Sequence, residues 1–290
     1  MGAGRKRAVL IAGPTASGKS ALALERARAL GGTVINTDAM QVYSTLQLLT
    51  ARPAPADMHG LPHLLYGNID PAIRYSTGGW LTAVADAMAQ VEGPLIFAGG
   101  TGLYFDALER GFADVPQVPP EVVTEIEAEL AGLDAGARGR LLAERDPEMA
   151  NRLQAPDPQR VTRALAVLRA TGKSLAFFQD HAQQGLLDGF EVERIVISPP
   201  REVLRERIAR RFYAMLDAGA LDEVEALLQR DLDPSLPAMK AIGVPELSAV
   251  LRGELPQAEA VELAIIATQQ YAKRQRTWFR GRMADWQWRE

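Results

Sequence analysis

Residues 13–20 read Gly-Pro-Thr-Ala-Ser-Gly-Lys-Ser, a complete phosphate-binding loop of the form G-x-x-x-x-G-K-[ST]. In such a loop, backbone N–H groups surround a diphosphate or triphosphate, the lysine reaches its outer phosphate, and the hydroxyl after it ligates Mg²⁺. The apolar run at 8–12 predicts a buried strand before the loop, and residues 21–30 predict a helix after it. Because the start of a helix favours anions, we expect a phosphate site here and not merely a surface turn.

The predicted phosphate site is one uninterrupted stretch of the chain. Lys19 is its charged contact, and Ser20 is its metal ligand. The loop alone does not define which phosphate compound is bound, since many nucleotide-binding proteins share it. The full set of predicted phosphate-binding residues is Gly13, Pro14, Thr15, Ala16, Ser17, Gly18, Lys19 and Ser20.

Three further short runs rich in valine and isoleucine predict strands at 33–36, 94–98 and 194–198. Helix-like sequence separates these runs, which is the pattern of an α/β protein with a parallel sheet. Ligands of such sheets bind at the carboxyl ends of the strands. The phosphate loop, Asp38 and Thr101 each follow a strand, so we expect them to lie along one edge of the sheet.

The region 116–190 differs from the rest because it contains no convincing strand. Within it, Asp157 followed by Pro158 predicts a helix start, Gly172 predicts its end, and Val161 and Leu165 belong to an apolar stripe between them. We therefore predict a helical insertion domain at 116–190 and an α/β core domain made of 1–115 and 191–290. Further helical regions are predicted at about 201–228 and 256–280.

Composition restricts the class of protein. The 290 residues carry a formal net charge of −4 with 47% hydrophobic and 23% charged residues, which is ordinary for a globular protein. No apolar run approaches the roughly 20 residues that span a bilayer, and no signal-type apolar stretch follows the N-terminus, so we expect a cytoplasmic protein without membrane contact. The absence of cysteine excludes disulfides and cysteine-based zinc sites.

Asp38 is the strongest candidate for a catalytic group. A carboxylate beside bound phosphates can act as a general base or hold Mg²⁺ through water, and the alternative is that it caps a following helix. The segment 99–102, Gly-Gly-Thr-Gly, is predicted either to bring amides and the Thr101 hydroxyl to a phosphate or to form a turn with positive φ. His63 has no partner at metal-ligand spacing, and we expect it to be structural.

Basic residues are concentrated in three places although the chain is acidic overall. Arg160 and Arg163 lie together on the predicted helix after Asp157, and a second cluster lies on one face of the region after residue 201. These clusters predict contact with a nucleic-acid backbone, and the alternative is a set of solvated helix faces. The members of the second and third clusters are Arg207, Arg210 and Arg211, and Lys273, Arg274, Arg276, Arg280 and Arg282.

Taken in order, these segments resemble the tRNA dimethylallyltransferases, also called tRNA isopentenyltransferases. The resemblance extends over nearly the whole chain, and the ordered set is far more specific than the phosphate loop alone. The matching segments are 13–20, Asp38 with 41–43, Asp70-Pro71 with Tyr75-Ser76, 99–104, 157–160 with 163–165, 241–243, and 272–275 with Thr277-Trp278.

The resemblance implies a P-loop NTPase-like core with a helical insertion that binds the anticodon stem-loop of tRNA. It implies transfer of a dimethylallyl group from dimethylallyl diphosphate to N6 of adenosine 37, with Mg²⁺ as cofactor. The sequence shows no zinc-finger extension of the eukaryotic type, so it resembles the bacterial form, and we expect a monomer. Asp38 is then the general base, with Thr101 and Arg211 binding the diphosphate. The implied tRNA-binding residues are Asp38, Ala39, Met40, Gln41, Gln159, Arg160, Val161, Thr162 and Arg163.

Several positions depart from the family pattern. Leu49 stands where glycine is usual, Val244 where tyrosine is usual and Gln269 where arginine is usual, and 154–156 replaces a His-Pro-Asn stretch. None of these changes removes Lys19 or Asp38.

Three other functions are consistent with part of the sequence. A P-loop small-molecule kinase explains the phosphate loop and Asp38 but leaves the basic clusters without a role. An adenylate isopentenyltransferase uses the same prenyl chemistry with free AMP as acceptor. The third alternative is a non-catalytic RNA-binding module with a degenerate nucleotide site. The intact phosphate loop and Asp38 argue against it, because such a module does not require them.

Overall fold

One parallel sheet forms the centre of the α/β core. The computed structural model describes residues 5–113, 115–153, 157–182 and 184–290. Within these ranges the sheet has the order β3-β2-β4-β1-β5-β6, every neighbouring pair is parallel, and β1 is buried from Ala8 to Ala12. The prediction of an α/β protein with a parallel sheet is confirmed. The strands are β1 Arg7–Ala12, β2 Thr33–Asn36, β3 His63–Leu64, β4 Leu95–Gly99, β5 Glu191–Ile197 and β6 Gln287–Arg289.

Helices make up most of the remaining described chain, and none of them is both long and apolar enough to cross a bilayer. Short 3₁₀ helices lie at Pro55–Met58 and Ala238–Lys240. The α-helices are α1 Lys19–Leu30, α2 Thr77–Gln90, α3 Gly102–Arg110, α4 Pro120–Leu130, α5 Ala135–Arg145, α6 Pro147–Arg152, α7 Pro158–Thr171, α8 Leu175–Asp180, α9 Arg201–Asp217, α10 Ala220–Leu228, α11 Val244–Leu251 and α12 Gln257–Arg282.

The chain divides into two compact units. One contains the sheet and comprises the chain up to Glu109 together with Leu186–Glu290, and the other is the helical unit Arg110–Gly185. The helical unit has its own apolar core, to which α7 contributes fully buried Val161 and nearly buried Leu165. Asp157 accepts a hydrogen bond from Arg160 N at 3.1 Å, and Gly172 ends the helix with a φ of 69°. The predicted start, end and apolar stripe of this helix are confirmed.

The sheet differs from the prediction at its two edges. Strands β3 and β6 were not predicted, because runs of two and three residues are too short to show an alternating pattern. His63 lies in β3, where its Nδ1 is 2.9 Å from the Leu61 carbonyl oxygen.

The region 201–228, predicted to be helical, contains two helices. They are separated at Gly219, whose φ is 98°.

Buried contacts on α2 connect it to the carboxyl end of β2. Trp80 is fully buried, and its Nε1–H donates a hydrogen bond to Asn36 O at 2.9 Å. The Trp80 ring also stacks on the ring of Tyr104 in α3, with centroids 4.2 Å apart, so α2 and α3 pack against each other. This packing supports the segments on which Asp38 and Thr101 lie.

The glycines of the segment 99–102 serve close packing and not a turn. None of the three has a positive φ, so the predicted positive-φ turn is wrong. A Cβ at Gly99 would overlap Thr37 O, one at Gly100 would overlap the Gln275 side-chain amide, and one at Gly102 would overlap the Trp278 ring. The glycines therefore allow β2 and α12 to approach this segment closely.

The close approach at Gly99 predicts a large and specific loss of stability. Gly99→Ala should lower the free energy of unfolding by about 2 kcal/mol or more, because the added methyl group collides with rigid backbone and not with a flexible side chain. Urea unfolding followed by circular dichroism measures this change. The control is Gly281→Ala in α12, where the added Cβ meets no atom within 4 Å; equal stability of the two variants would contradict the prediction.

Candidate active site

The phosphate loop connects β1 to α1 in a wrapped conformation. Ser17 N–H donates to Pro14 O at 3.2 Å, and Ala16 and Gly18 have φ values of 64° and 96°. Gly18 is the N-cap of α1, and no side chain caps this helix start. The first amides of α1 are therefore available to an anion, as the sequence predicts.

Two helices from the C-terminal part of the chain hold the phosphate loop in place. Thr15 N–H donates to Gln275 Oε1 at 2.9 Å, and the Arg211 guanidinium donates to the Thr15 hydroxyl. Gln275 is 5% exposed, and its Nε2 donates to Gly100 O at 2.8 Å. One buried amide thus joins the phosphate loop to the segment after β4. Gln275 was not among the predicted site residues, since only its place in the motif at 272–275 marks it in the sequence.

A cavity of about 290 Å³ opens beside the loop and unites most of the predicted core residues. Among the basic residues predicted on α9, Arg207 and Arg211 line the cavity and Arg210 does not. Gly13, Pro14, Ala39, Met40 and Thr101 also lie outside its lining. Sequence reasoning missed Thr50 and Ala51. The lining consists of Thr15, Ala16, Ser17, Gly18, Lys19, Ser20, Asp38, Gln41, Thr50, Ala51, Arg207 and Arg211.

The electrostatics of the cavity favour an anionic ligand. Burial lowers the pKa of Lys19 from 10.5 to about 8, the carboxylate of Asp38 acts in the opposite direction, and Arg211 adds to the lowering. Burial also lowers the pKa of Arg211, again opposed by Asp38. Two half-buried cations share the carboxylate of Asp38, and a phosphate group would stabilise both.

Backbone hydrogen bonds fix the orientation of Asp38. Its N–H donates to Asn36 Oδ1 at 2.9 Å, and its Oδ1 accepts the N–H of Met40 at 3.0 Å. No hydrogen bond from the described residues reaches Oδ2, so this oxygen is available to a substrate proton. The described chain has no helix beginning at Asp38, and the alternative prediction of a helix cap is wrong.

Thr101 supports the chain beside Asp38. Its hydroxyl accepts the N–H of Ala39 at 2.9 Å and lies within hydrogen-bonding reach of the Tyr271 hydroxyl. Burial, with a smaller contribution from the negative charge of Asp38, raises the pKa of Tyr66, Tyr104 and Tyr271, so these three phenols are neutral. The contact of Thr101 with a diphosphate stays a prediction.

The cavity suits the coordination that Mg²⁺ prefers in phosphate sites. Mg²⁺ there takes one or two protein oxygens, with phosphate and water oxygens completing its shell. The hydroxyl of Ser20 and the carboxylate of Asp38 line the same cavity, and buried Ser17 Oγ has no hydrogen-bond partner in the described chain. No cluster of three or more carboxylate, histidine or cysteine side chains able to hold a metal exists among the described residues. The residues fit a metal bound together with a phosphate ligand.

The predicted tRNA-binding residues divide between the two units. Ala39 and Met40 are half-buried beside Asp38 in the core unit, and Gln41 is 9% exposed. In the helical unit, Gln159, Arg160 and Arg163 are exposed on α7, Thr162 is half-buried, and Val161 is fully buried in the apolar core. The stretch 154–156 lies outside the described residues.

Known proteins are similar to this chain in both sequence and fold. The sequence model of the IPP transferase family matches residues 41–282. The tRNA dimethylallyltransferase of Rhodopseudomonas palustris (strain BisB18) is 51% identical over 287 residues, which cover 98% of this chain and 91% of the relative. The chain belongs to the IPP transferase family. The resemblance found in the sequence is confirmed.

Solved structures of the IPP transferase family have the same fold. The full-length tRNA isopentenylpyrophosphate transferase of Bacillus halodurans matches with a TM-score of 0.69 at 30% identity, covering 98% of this chain and 90% of its own. The crystal structure of a eukaryotic dimethylallyltransferase that acts on tRNA matches with a TM-score of 0.77 at 27% identity. The match covers 94% of this chain and 70% of the eukaryotic chain. The predicted P-loop NTPase-like core with a parallel sheet is confirmed.

The lowered pKa of Lys19 predicts that diphosphate binding weakens as the pH rises through about 8. A bound anion favours the ammonium form and raises this pKa again, so above pH 8 the complex holds more protons than the free protein and affinity falls with rising pH. Calorimetry should show the Kd of inorganic diphosphate rising about tenfold more between pH 7 and 9 than in Lys19→Arg.

The Lys19→Arg variant controls for titration of the ligand itself. A guanidinium stays protonated over this pH range, whereas the other groups of the cavity are unchanged. Parallel pH profiles for the two proteins would show that the Lys19 ammonium does not lose its proton in this range.

Proposed function

We propose that this protein transfers a dimethylallyl group from dimethylallyl diphosphate to N6 of adenosine 37 in tRNA and releases diphosphate. The observation that carries the proposal is the cavity in which the cations Lys19 and Arg211 face the same space as the carboxylate of Asp38. The names of its relatives supply the substrate class, since they are tRNA dimethylallyltransferases. The proposed setting is the cytoplasm, with the protein acting as a monomer.

The chemistry follows from the groups that line the cavity. A bond forms between N6 of the adenine and C1 of the allyl group while the bond from C1 to the diphosphate oxygen breaks, and the electron pair leaves with the diphosphate. Lys19, Arg211 and the loop amides stabilise the charge that develops on that leaving group. The exocyclic amine is a weak nucleophile, and Asp38 Oδ2 takes its proton as the new bond forms.

A bound Mg²⁺ would be held by the Ser20 hydroxyl and, through water, by Asp38. It would neutralise part of the charge on the departing diphosphate.

The acceptor is proposed to be a nucleotide of folded RNA and not free AMP. The exposed basic residues Arg160 and Arg163 lie at the start of α7. An adenine that is stacked in folded RNA must leave its stack to bring N6 to the half-buried carboxylate of Asp38. None of the basic residues of α12 forms an ion pair within the described chain, so their charge remains available to a phosphate backbone. These residues are Lys273, Arg274, Arg276, Arg280 and Arg282.

Product analysis distinguishes the proposed function from its alternatives. The protein is incubated with Mg²⁺, dimethylallyl diphosphate and unmodified tRNA, and mass spectrometry is applied both to the nucleosides and to nuclease fragments of the tRNA, which locate the modified position. We expect adenosine carrying one dimethylallyl group at position 37. Parallel reactions with AMP as acceptor, or with ATP and a panel of metabolites, test the adenylate prenyltransferase and the kinase. Phosphoryl transfer without prenylated RNA would refute the proposal.

The role of Asp38 predicts a specific kinetic defect. Asp38→Asn keeps an oxygen to accept the Met40 N–H but cannot take a proton, so kcat should fall by about a thousandfold. The affinities for inorganic diphosphate and tRNA should be retained. The matched control is Asp86→Asn, which changes an exposed aspartate on α2. Turnover of Asp38→Asn close to that of the control would remove Asp38 from the role of base.

The proposed RNA contact of α7 predicts a change in salt dependence. Arg160→Ala and Arg163→Ala should each weaken tRNA binding and reduce the slope of log K against log salt by about 0.7–0.9, the value for one lost phosphate contact. The control is Arg169→Ala on the same helix, because Arg169 is already paired with Glu129 at 2.7 Å. Slopes equal to that of the control would contradict backbone contact at this surface.

A further inference from the structure

One carboxylate in the core unit accepts hydrogen bonds from three consecutive backbone amides. The N–H groups of Gln47, Leu48 and Leu49 donate to the two oxygens of Glu223 at 2.7, 2.8 and 3.0 Å. Glu223 lies in the first turn of α10, 174 to 176 residues further along the chain. Successive amides that converge on one point form an anion site, and here the protein fills this site with its own side chain.

The segment held by Glu223 continues directly into the wall of the cavity. Thr50 and Ala51 line the cavity together with Gln41 and Asp38. The Gln41 Nε2 donates to Thr50 O at 2.9 Å and to Ala51 O at 3.0 Å. The wall is therefore held from two directions, by Glu223 just before it and by Gln41 within the cavity.

The backbone of the wall has a conformation that it would not adopt alone. Ala51 has a φ of 52°, in the left-handed region that disfavours residues with a Cβ. Such a residue persists only where the surrounding structure imposes its conformation. Ala51 N–H donates to Leu48 O at 2.9 Å and closes a turn. The backbone N–H of Leu48, in the same turn, is bound by Glu223. Glu223 therefore holds the turn that imposes the positive φ of Ala51.

We propose that Glu223 is a positioning residue for the transfer reaction, which fixes the wall formed by Thr50 and Ala51 beside Asp38. This role rests on the proposed function. A displaced wall would change how the acceptor amine is presented to Asp38, and small displacements of this kind reduce kcat strongly. Lys19 and Arg211 do not contact the wall through any hydrogen bond in the described chain, so diphosphate affinity should not depend on Glu223.

The test is Glu223→Gln, with Glu225→Gln as control. A glutamine has the same shape but one oxygen fewer, and its NH₂ group faces a backbone N–H. The apolar core that contains Leu46, Val224 and Leu227 stays unchanged and keeps α10 packed on the segment. Glu225 is an exposed glutamate on the same helix. We expect kcat for tRNA prenylation to fall at least about tenfold relative to the control, with the Kd of inorganic diphosphate changed less than about twofold.

Two further measurements separate positioning from general stability. Hydrogen exchange should accelerate in Glu223→Gln only in peptides that cover 44–52, with the phosphate loop and the sheet as protected as in the control. Glycine adopts a positive φ without strain, so adding Ala51→Gly to Glu223→Gln should recover about threefold or more of the lost kcat.

Each contrary outcome has a defined meaning. A kcat equal to that of the control, a loss of diphosphate affinity parallel to that of kcat, loss of exchange protection throughout the protein, or no recovery in the double variant would overturn the role of Glu223. Wild-type protein that transfers no dimethylallyl group to tRNA would refute the proposed function itself, and this role with it.

Discussion

The side-chain amide of Gln275 sets the distance between the two halves of the active site. It accepts the N–H of Thr15 in the phosphate loop and donates to the carbonyl of Gly100. The next residue, Thr101, accepts the N–H of Ala39, which follows Asp38 in the chain. A continuous path of hydrogen bonds therefore leads from the proposed leaving-group site to the proposed base. Gly100 is a glycine because any side chain there would displace Gln275, so the close packing and the chemistry depend on the same contact.

The same site stores unfavourable electrostatics that a substrate can relieve. Lys19 and Arg211 are half-buried, Asp38 is the one carboxylate of the described residues that acts on both, and burial lowers the pKa of each. A fold optimised for stability alone would pair these cations or expose them. In the proposed reaction a diphosphate would satisfy both cations, and its departure after transfer would restore the unfavourable state. Binding energy and leaving-group stabilisation would then come from the same two side chains.

The sequence predicted the features that depend on neighbouring residues and missed those that depend on residues far apart in the chain. The strands with valine and isoleucine runs, the phosphate loop and the capped helix α7 are local patterns, and each was found within a few residues of its observed position. The two short edge strands have no such pattern. Gln275 and Glu223 act on chain segments more than 170 residues away, so nothing beside them in the sequence indicates their partners. The glycines at 99–102 were visible, but their reason lies in distant atoms of Thr37, Gln275 and Trp278.

The packing around Leu49 explains how this chain accommodates two departures from the usual family pattern. At position 49, where glycine is usual, the hydrogen bond to Glu223 needs only a backbone N–H, and Leu49 still donates it. Its side chain packs against Gly243, which has a φ of 97°, and joins the apolar cluster that contains Val244. Val244 is itself smaller than the usual tyrosine. A larger residue at one position and a smaller one at the other therefore fill a single core, which lets the volume change without moving the amide that Glu223 binds.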